Sequence, residues 1–328
     1  MAGFVNLLQS EAAPTLKDAF RKCPLEMNLT DSWNRYNLLK IAKQAKKWLG
    51  IRRHQNVGLS VMDQSIFASM YGESASVLGN KAEFPGLMKR IGFSAPDSVL
   101  VKPEDNRTES QKSILDVIGS RNTYFVKPLD GINEIGAHSI EACDLTSELE
   151  QLTQPTLVQE FIPHKRCIRC IRYQDKNGKI YFAAFEYDDK TRVGQVFDNS
   201  TKDNLKNLYK LLHVQAAPAN DKETNNLFLY IEEAVAALQN SLNIELPFFS
   251  CDLALREGSE SIISGEKYNS EEMKTATSFI ETQNFPGPWE MKHKNTSRPI
   301  ATYLYLWELF IKEHGKEMIA RLPTRKAA

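Results

Sequence analysis

TYFVKPLDGINEIGAHSI, residues 123–140, is the stretch on which the reading of this chain turns. Tyr124, Phe125 and Val126 are aromatic and β-branched residues suited to a pleated surface. Pro128, which has no N–H to donate, is expected to stop the ladder just after Lys127 and leave that lysine at a rigid strand end. Gly131 and Gly136 lie near the two ends of the segment that follows, and without a Cβ they let backbone N–H groups approach an anion closely. A second strand is expected to start near Ala137. The pattern predicts a phosphate clamp made of one lysine and a glycine-bearing loop. Asp130-Gly131 is also a strong turn signal, so an ordinary β-hairpin fits the same residues.

Outward from this stretch, the chain has 328 residues, 42% of them hydrophobic, which is enough for substantial cores in two or three subdomains. Forty-one basic and forty-one acidic residues cancel. No whole-molecule field therefore favours nucleic acid or an anionic membrane, and partners must be argued locally. The opening MAGFVNLLQSEAAPTLKDAF has no basic segment ahead of a long apolar core. No later run approaches the roughly 18 apolar residues of a membrane span. A soluble, cytoplasmic protein is expected. Five cysteines, an odd number in a long chain, form no disulfide framework and suit a reducing compartment. Cys167 and Cys170 spell CxxC, but no second pair supports zinc and the local alternation reads as a strand.

Before the stretch, residues 31–50 read as an amphipathic helix with Asp31 or Ser32 as N-cap, Leu38, Ile41, Ala45 and Trp48 on one face, and Gly50 as stop. Lys40, Lys43, Lys46 and Lys47 make its other face basic, and a solvated surface is the simplest account of them. Residues 57–62 read as a short buried strand. KAEFPGLMKRIG, residues 81–92, reads as a helix irregular at Pro85 and Gly86, followed by a strand over 98–102 and a helix over 110–118. After the glycine loop come a helix near 145–152 and the strand TLVQEFI, 156–162. Residues 167–173 and 180–187 flank Lys176-Asn177-Gly178 and predict a hairpin. Helices over 203–212 and 225–243 precede strands over 248–255 and 277–281, separated by a polar insert at 256–274. Residues 299–322 form a last helix whose apolar stripe includes Trp307 and Phe310.

Four landmarks, taken in order, resemble the ATP-grasp family. Lys81 precedes Gly92 and Pro96 as that family's first ATP lysine precedes a glycine and a proline, and Lys127 in FVKP resembles its second. VQEFI resembles the hinge strand between the two ATP-gripping subdomains. FIETQNFPG, residues 279–287, resembles the metal-binding ending, with Asp252 in SCDLAL as partner carboxylate. The similarity spans 81–287. It implies an α/β (α+β) fold in which two subdomains, 81–158 and 159–328, grip ATP between antiparallel sheets, beside an N-terminal accessory domain over 1–80.

The same resemblance implies a site. ATP would be held by Lys81, Lys127, Gly131 and Gly136, with backbone near Gln159, Glu160, Phe161 and Ile162 reading the adenine edge. Mg2+ would sit on Asp252, Glu281 and Gln283, hard oxygen donors of the kind it requires. Arg169, Arg172 and Arg192 are candidates to hold a substrate carboxylate and the transferred phosphoryl group. Arg169 and Arg172 are an odd number of residues apart, so a regular strand sends them to opposite faces. Three departures stand out: Gln283 replaces the usual asparagine, no ribose-binding Glu follows the hinge, and Ser250 replaces an arginine of the D-alanine:D-alanine ligases. Glu266, near Asn269, is a competing carboxylate. The implied activity joins a small-molecule carboxylate to an amine with ATP, and a homodimer is compatible with it. A kinase of a phosphorylated metabolite and a nucleotide-binding module without turnover are the alternatives.

Overall fold

The computed structural model describes residues 70–129, 136–186 and 222–282, together with Gln64, Phe67, Ala68, Phe310, Glu313 and His314. The expected elements at 31–50, 57–62 and 203–212, and the helix at 299–322 apart from those last three residues, lie outside the described residues.

Two four-stranded antiparallel sheets with helices packed on them make up the described fold. The first has strands β1 (Ser98–Val101), β2 (Thr123–Pro128), β3 (His138–Glu141) and β4 (Thr156–Glu160) in the order β1-β4-β2-β3. The second has β5 (His164–Gln174), β6 (Ile180–Glu186), β7 (Phe248–Arg256) and β8 (Thr277–Thr282) in the order β6-β5-β7-β8. These are the paired antiparallel sheets that the resemblance implies. Only three residues separate β4 from β5, so VQEFI is the passage from one sheet to the other.

Strand alternation sets the two faces of the first sheet. Tyr124, Val126 and Val158 join Ile114, Ile118, Leu145 and Leu149 in one core. Ile114 belongs to the helix Arg107–Val117, and Leu145 and Leu149 to the helix Leu145–Glu150. The intervening residues Phe125, Lys127 and Gln159 therefore belong to the other face. The helix Arg107–Val117 starts three residues earlier than its apolar pattern indicates because the Asn106 side chain accepts from the Thr108 and Glu109 N–H groups.

The second sheet packs Ile168, Cys170, Cys251, Leu253 and Phe279 against the helix Lys222–Leu242, whose Leu227, Tyr230, Ile231, Ala234, Val235 and Leu238 are buried. Phe93 closes this core edge-on to Phe279 at 5.7 Å. Phe310 is buried against Tyr71, Tyr173 and Phe248, which ties the C-terminal part of the chain to the second sheet.

Three local expectations are corrected. The helix near Lys81 begins only at Phe84, with proline in its first turn, so Lys81 sits in the turn before it. The ladder runs one residue further than expected: Pro128 is the last residue of β2 and stands opposite Thr156. The region 256–274 is not merely a polar insert, since it holds the helix Glu260–Ile263 and the start of Ser270–Ala276, with Ile263 and Met273 in the core.

Candidate active site

The site is built on one row across the second sheet. Arg169 on β5 stands opposite Asp252 on β7, and Asp252 stands opposite Glu281 on β8, so all three share a face. Glu281 reaches that face through a bulge: the register steps from Asp252↔Glu281 to Leu253↔Phe279, leaving Ile280 as the extra residue. Phe279 and Glu281 are two apart, and a regular strand would send both into the core. The bulge lets Phe279 fill the core while Glu281 turns outward beside Asp252.

Arg169 donates to Asp252 twice, Nε to Oδ1 at 2.8 Å and Nη2 to Oδ2 at 3.0 Å, and both groups are buried. Burial pushes the Asp252 carboxyl above the ordinary aspartate range. The Arg169 guanidinium opposes this, and the neighbouring Glu281 adds to it.

Two lysines from other segments meet this row at Glu281. Lys81 Nζ lies 3.8 Å, and Lys127 Nζ 3.9 Å, from the same atom, Glu281 Oε2. Lys127 comes from the first sheet, on the face opposite its helices. Its burial pushes the ammonium below the ordinary lysine range; Glu281 and Asp252 counter this, while Lys81 reinforces it. Lys81 is held by its turn: Asn80 accepts from the Ala82 N–H at 3.0 Å and from the Phe84 N–H at 2.9 Å. The turn is also anchored to the sheet, because the Thr282 hydroxyl donates to the Leu78 carbonyl.

The loop after Lys127 is closed by β3, which pairs with β2 as a hairpin. Gly136 adopts φ +79°, and a Cβ there would lie 3.0 Å from Pro128 Cγ, so no larger residue fits without moving the proline beside Lys127. Gly131 lies outside the described residues, as do Arg192 and Gln283.

At the passage between sheets, the Glu160 N–H donates to the Asp97 carbonyl at 2.8 Å, and Arg121 pairs with the Glu160 side chain at 3.2 Å. His164 Nδ1 stands 2.7 Å from the Ile162 carbonyl, which can only accept, so the ring carries its proton there. Gln159 is buried on the Lys127 side of its sheet, and its amide nitrogen has no hydrogen-bond partner. Phe161 is half-buried between Glu160 and Ile162.

Arg172 goes elsewhere. It faces the long helix, with Nε donating to Glu232 at 2.7 Å, Nη1 to the Leu246 carbonyl at 3.1 Å and Nη2 to Gln174 at 3.0 Å. The structure brings together Lys81, Lys127, Arg169, Asp252 and Glu281, and leaves Arg172 outside. Glu266 is also outside, exposed and paired with Lys222. Ser250, two residues before Asp252, is buried with an unpartnered hydroxyl. Among the described residues, no group of three or more His, Cys, Asp or Glu side chains converges as a metal cage. Asp252 and Glu281 do offer Mg2+ adjacent carboxylate oxygens, the donor type it prefers. Cys167 and Cys170 form no disulfide and lie three apart on β5, so they are on opposite faces, an arrangement no shared metal can use.

No family model matches the sequence, and no curated protein matches it. Solved structures to which the chain is similar include the D-alanine–D-alanine ligase of Bacillus anthracis complexed with ATP, at 15% identity and TM-score 0.44, covering 75% of this chain and 69% of that one. Another is the D-alanine–D-alanine ligase of Helicobacter pylori, at 16% identity and TM-score 0.45, covering 73% and 62%. The L-amino acid ligase of Bacillus licheniformis is similar at 11% identity and TM-score 0.38, covering 67% and 43%.

Proposed function

We propose that this chain is an ATP-dependent carboxylate–amine ligase. The observation that carries the reading is the meeting of Lys81, Lys127, Asp252 and Glu281, drawn from four separate segments, beside the Arg169–Asp252 pair. Phosphoryl transfer needs positive donors on the phosphates and hard oxygen ligands for a divalent cation, and this constellation holds both within one charge network. Lys81 and Lys127 bind the phosphates, and the loop bearing Gly131 and Gly136 covers them. The Glu160 carbonyl and the Ile162 N–H, with Gln159 and Phe161 beside them, meet the base.

Asp252 and Glu281, with Gln283, hold Mg2+, which when bound neutralises phosphate charge. Arg169 fixes the orientation of Asp252 and keeps a permanent positive charge beside it. Arg192 is the remaining arginine candidate for the substrate carboxylate. In the reaction, a carboxylate oxygen attacks the γ-phosphorus and ADP leaves. The amine nitrogen then attacks the acyl carbon of the acyl phosphate, losing a proton as inorganic phosphate departs. Both substrates are small molecules. Among the described residues no helix is long and apolar enough to cross a membrane. Among the described residues Cys143, Cys167, Cys170 and Cys251 form no disulfide, which favours a reducing, cytoplasmic setting. A homodimer, and the division at 80 and 158, belong to the same proposal.

The fate of the γ-phosphate tests it. Purified protein is incubated with Mg2+, γ-labelled ATP and pooled small metabolites, with hydroxylamine added to trap acyl phosphate. ADP, free labelled phosphate and a hydroxamate are expected. Label retained in a stable phosphorylated metabolite establishes a kinase instead, and absence of metabolite-dependent ADP favours a binding module.

A further inference from the structure

We infer that Cys167 is a thiol set at the base end of the cleft, a modification site whose occupation and nucleotide binding exclude each other. The inference rests on the nucleotide reading above. Cys167 lies two residues from Arg169 in a regular stretch of β5, so it shares the face that carries the charged row. The neighbouring row on that face sets Cys167 opposite Ala254 and Ala254 opposite Ser278. It lies toward His164, the end of β5 nearest the passage between the sheets. Ala254 and Ser278 are buried, whereas Cys167 is half-buried.

A second observation points to a ligand at this end. Gln159, on the Lys127 face of the first sheet, is two residues nearer the passage than Leu157, which stands opposite Lys127. Gln159 and Cys167 are therefore both displaced toward the passage from the place where Lys127 meets Glu281. Gln159 is 2% exposed and its amide nitrogen has no partner, and the buried Ser278 hydroxyl has none either. A buried donor left unmade is costly, and the ring nitrogens and carbonyls of a base are the acceptors it lacks. Thiol reactivity follows exposure, and this separates Cys167 from the others. Cys170 and Cys251 are fully buried on the opposite face, where burial pushes both thiols well above their ordinary range. Cys143 is exposed in the turn Ala142–Asp144 after β3, away from the row. Addition of the Cys167 sulfur to a maleimide needs no co-reactant: an S–C bond forms as the C=C opens, and the thiol proton ends on the neighbouring carbon. The added group fills the space that the base takes.

The test treats the full chain with N-ethylmaleimide and follows each cysteine by peptide mass spectrometry, alone, with Mg-ATP and with Mg-tripolyphosphate, which has no base. Calorimetric titration measures the affinity for both ligands before and after labelling. Cys167 is expected to label in the ligand-free protein, and Mg-ATP at about ten times its dissociation constant is expected to slow it about tenfold, in line with the fraction left unoccupied. Mg-tripolyphosphate at the same occupancy is expected to slow it less than about twofold, and Cys143 is expected to label at one rate throughout. Protein labelled at Cys167 is expected to lose Mg-ATP affinity by about tenfold or more while keeping its affinity for Mg-tripolyphosphate. Cys167→Ser is expected to bind Mg-ATP equally well before and after maleimide treatment. A Cys167 that does not label without ligand, or labels at the same rate with Mg-ATP, overturns the inference. So does equal protection by Mg-tripolyphosphate, which would tie the thiol to the phosphates rather than the base. These results need no variant, and the nucleotide reading survives each of them as long as the parent binds Mg-ATP. A parent that binds no Mg-ATP overturns that reading, and this inference with it.

Discussion

Arg169 and Arg172 sit three residues apart on β5, each 3% exposed and each gripping a carboxylate with two of its donors. Burial and pairing do not tell them apart. Their surroundings do. Arg172 faces the helix side, where Glu232 and carbonyls at Leu246 and Pro247 take its donors. It ties the helix Lys222–Leu242 to the sheet. The partner of Arg169, Asp252, instead stands next to Glu281, which faces two lysines from other parts of the chain. A buried ion pair is weak evidence for function, because a structural clamp has the same signature. What marks the Arg169 face is that two lysines from separate segments converge on one carboxylate oxygen beside the Arg169–Asp252 pair.

The largest separation of the two faces is expected in turnover. Glu281→Gln removes a carboxylate charge from the assigned cation site and is expected to cut Mg2+-dependent ADP formation about a thousandfold. Glu266→Gln alters a side chain that is 81% exposed and is expected to change the rate less than about twofold. Steady-state rates at saturating ATP check both. Equal losses would move the cation site to the 256–274 region.

Lys127→Met keeps most of the stem volume and deletes the ammonium. Affinity for Mg-ATP is expected to fall about a hundredfold, the loss of a buried charge-assisted contact of about 3 kcal/mol. Melting temperature should move little, because the same change relieves the desolvation of a buried charge. A folded variant with unchanged affinity removes Lys127 from the phosphate site.

Arg172→Met makes the opposite cut. It leaves Glu232 without its guanidinium, but Glu232 is about a quarter exposed, so the loss is expected at about 2–3 kcal/mol, below that of a fully buried pair. Denaturant unfolding checks this. Nucleotide affinity measured below the transition should match the parent, and a selective loss of affinity would return Arg172 to the site.

Much of this was legible in the sequence for definite reasons. Alternation around Lys127, the turn at Lys176-Asn177-Gly178 and the odd spacing of Arg169 and Arg172 each determine which side chains share a face, and the observed pairing of β5 and β6 follows them. The pairing of Arg169 with Asp252 was not legible, since the two are 83 residues apart and only the register of β5 on β7 joins them. Nor was the bulge at Ile280. FIET reads as a regular strand with Phe279 and Glu281 on one face, and the demand of a buried core for Phe279 settles the matter only once β7 is beside it. Residues 81–92 read as a helix that Lys81 opens, whereas Pro85 in the first turn and the Asn80 turn set its start at Phe84.

The smallest effect probes the site through backbone alone. Gly136 lies beyond the assigned charges, yet a Cβ there meets Pro128 at 3.0 Å, and Pro128 is bonded to Lys127. Gly136→Ala also places a side chain at φ +79°, where it is strained whatever the space. A stability loss of about 1 kcal/mol or slightly more is expected from the strain. Because the clash falls on the proline at the end of β2, part of the adjustment must reach the Lys127 backbone, and Mg-ATP affinity is expected to fall about threefold. Gly178→Ala is the matched control. It has φ +80° in the β5–β6 turn, so it carries similar strain with no path to the site. Equal stability losses with an affinity loss only at Gly136 would show that the site face depends on where its backbone is held, and equal affinities would confine the role of Gly136 to the turn.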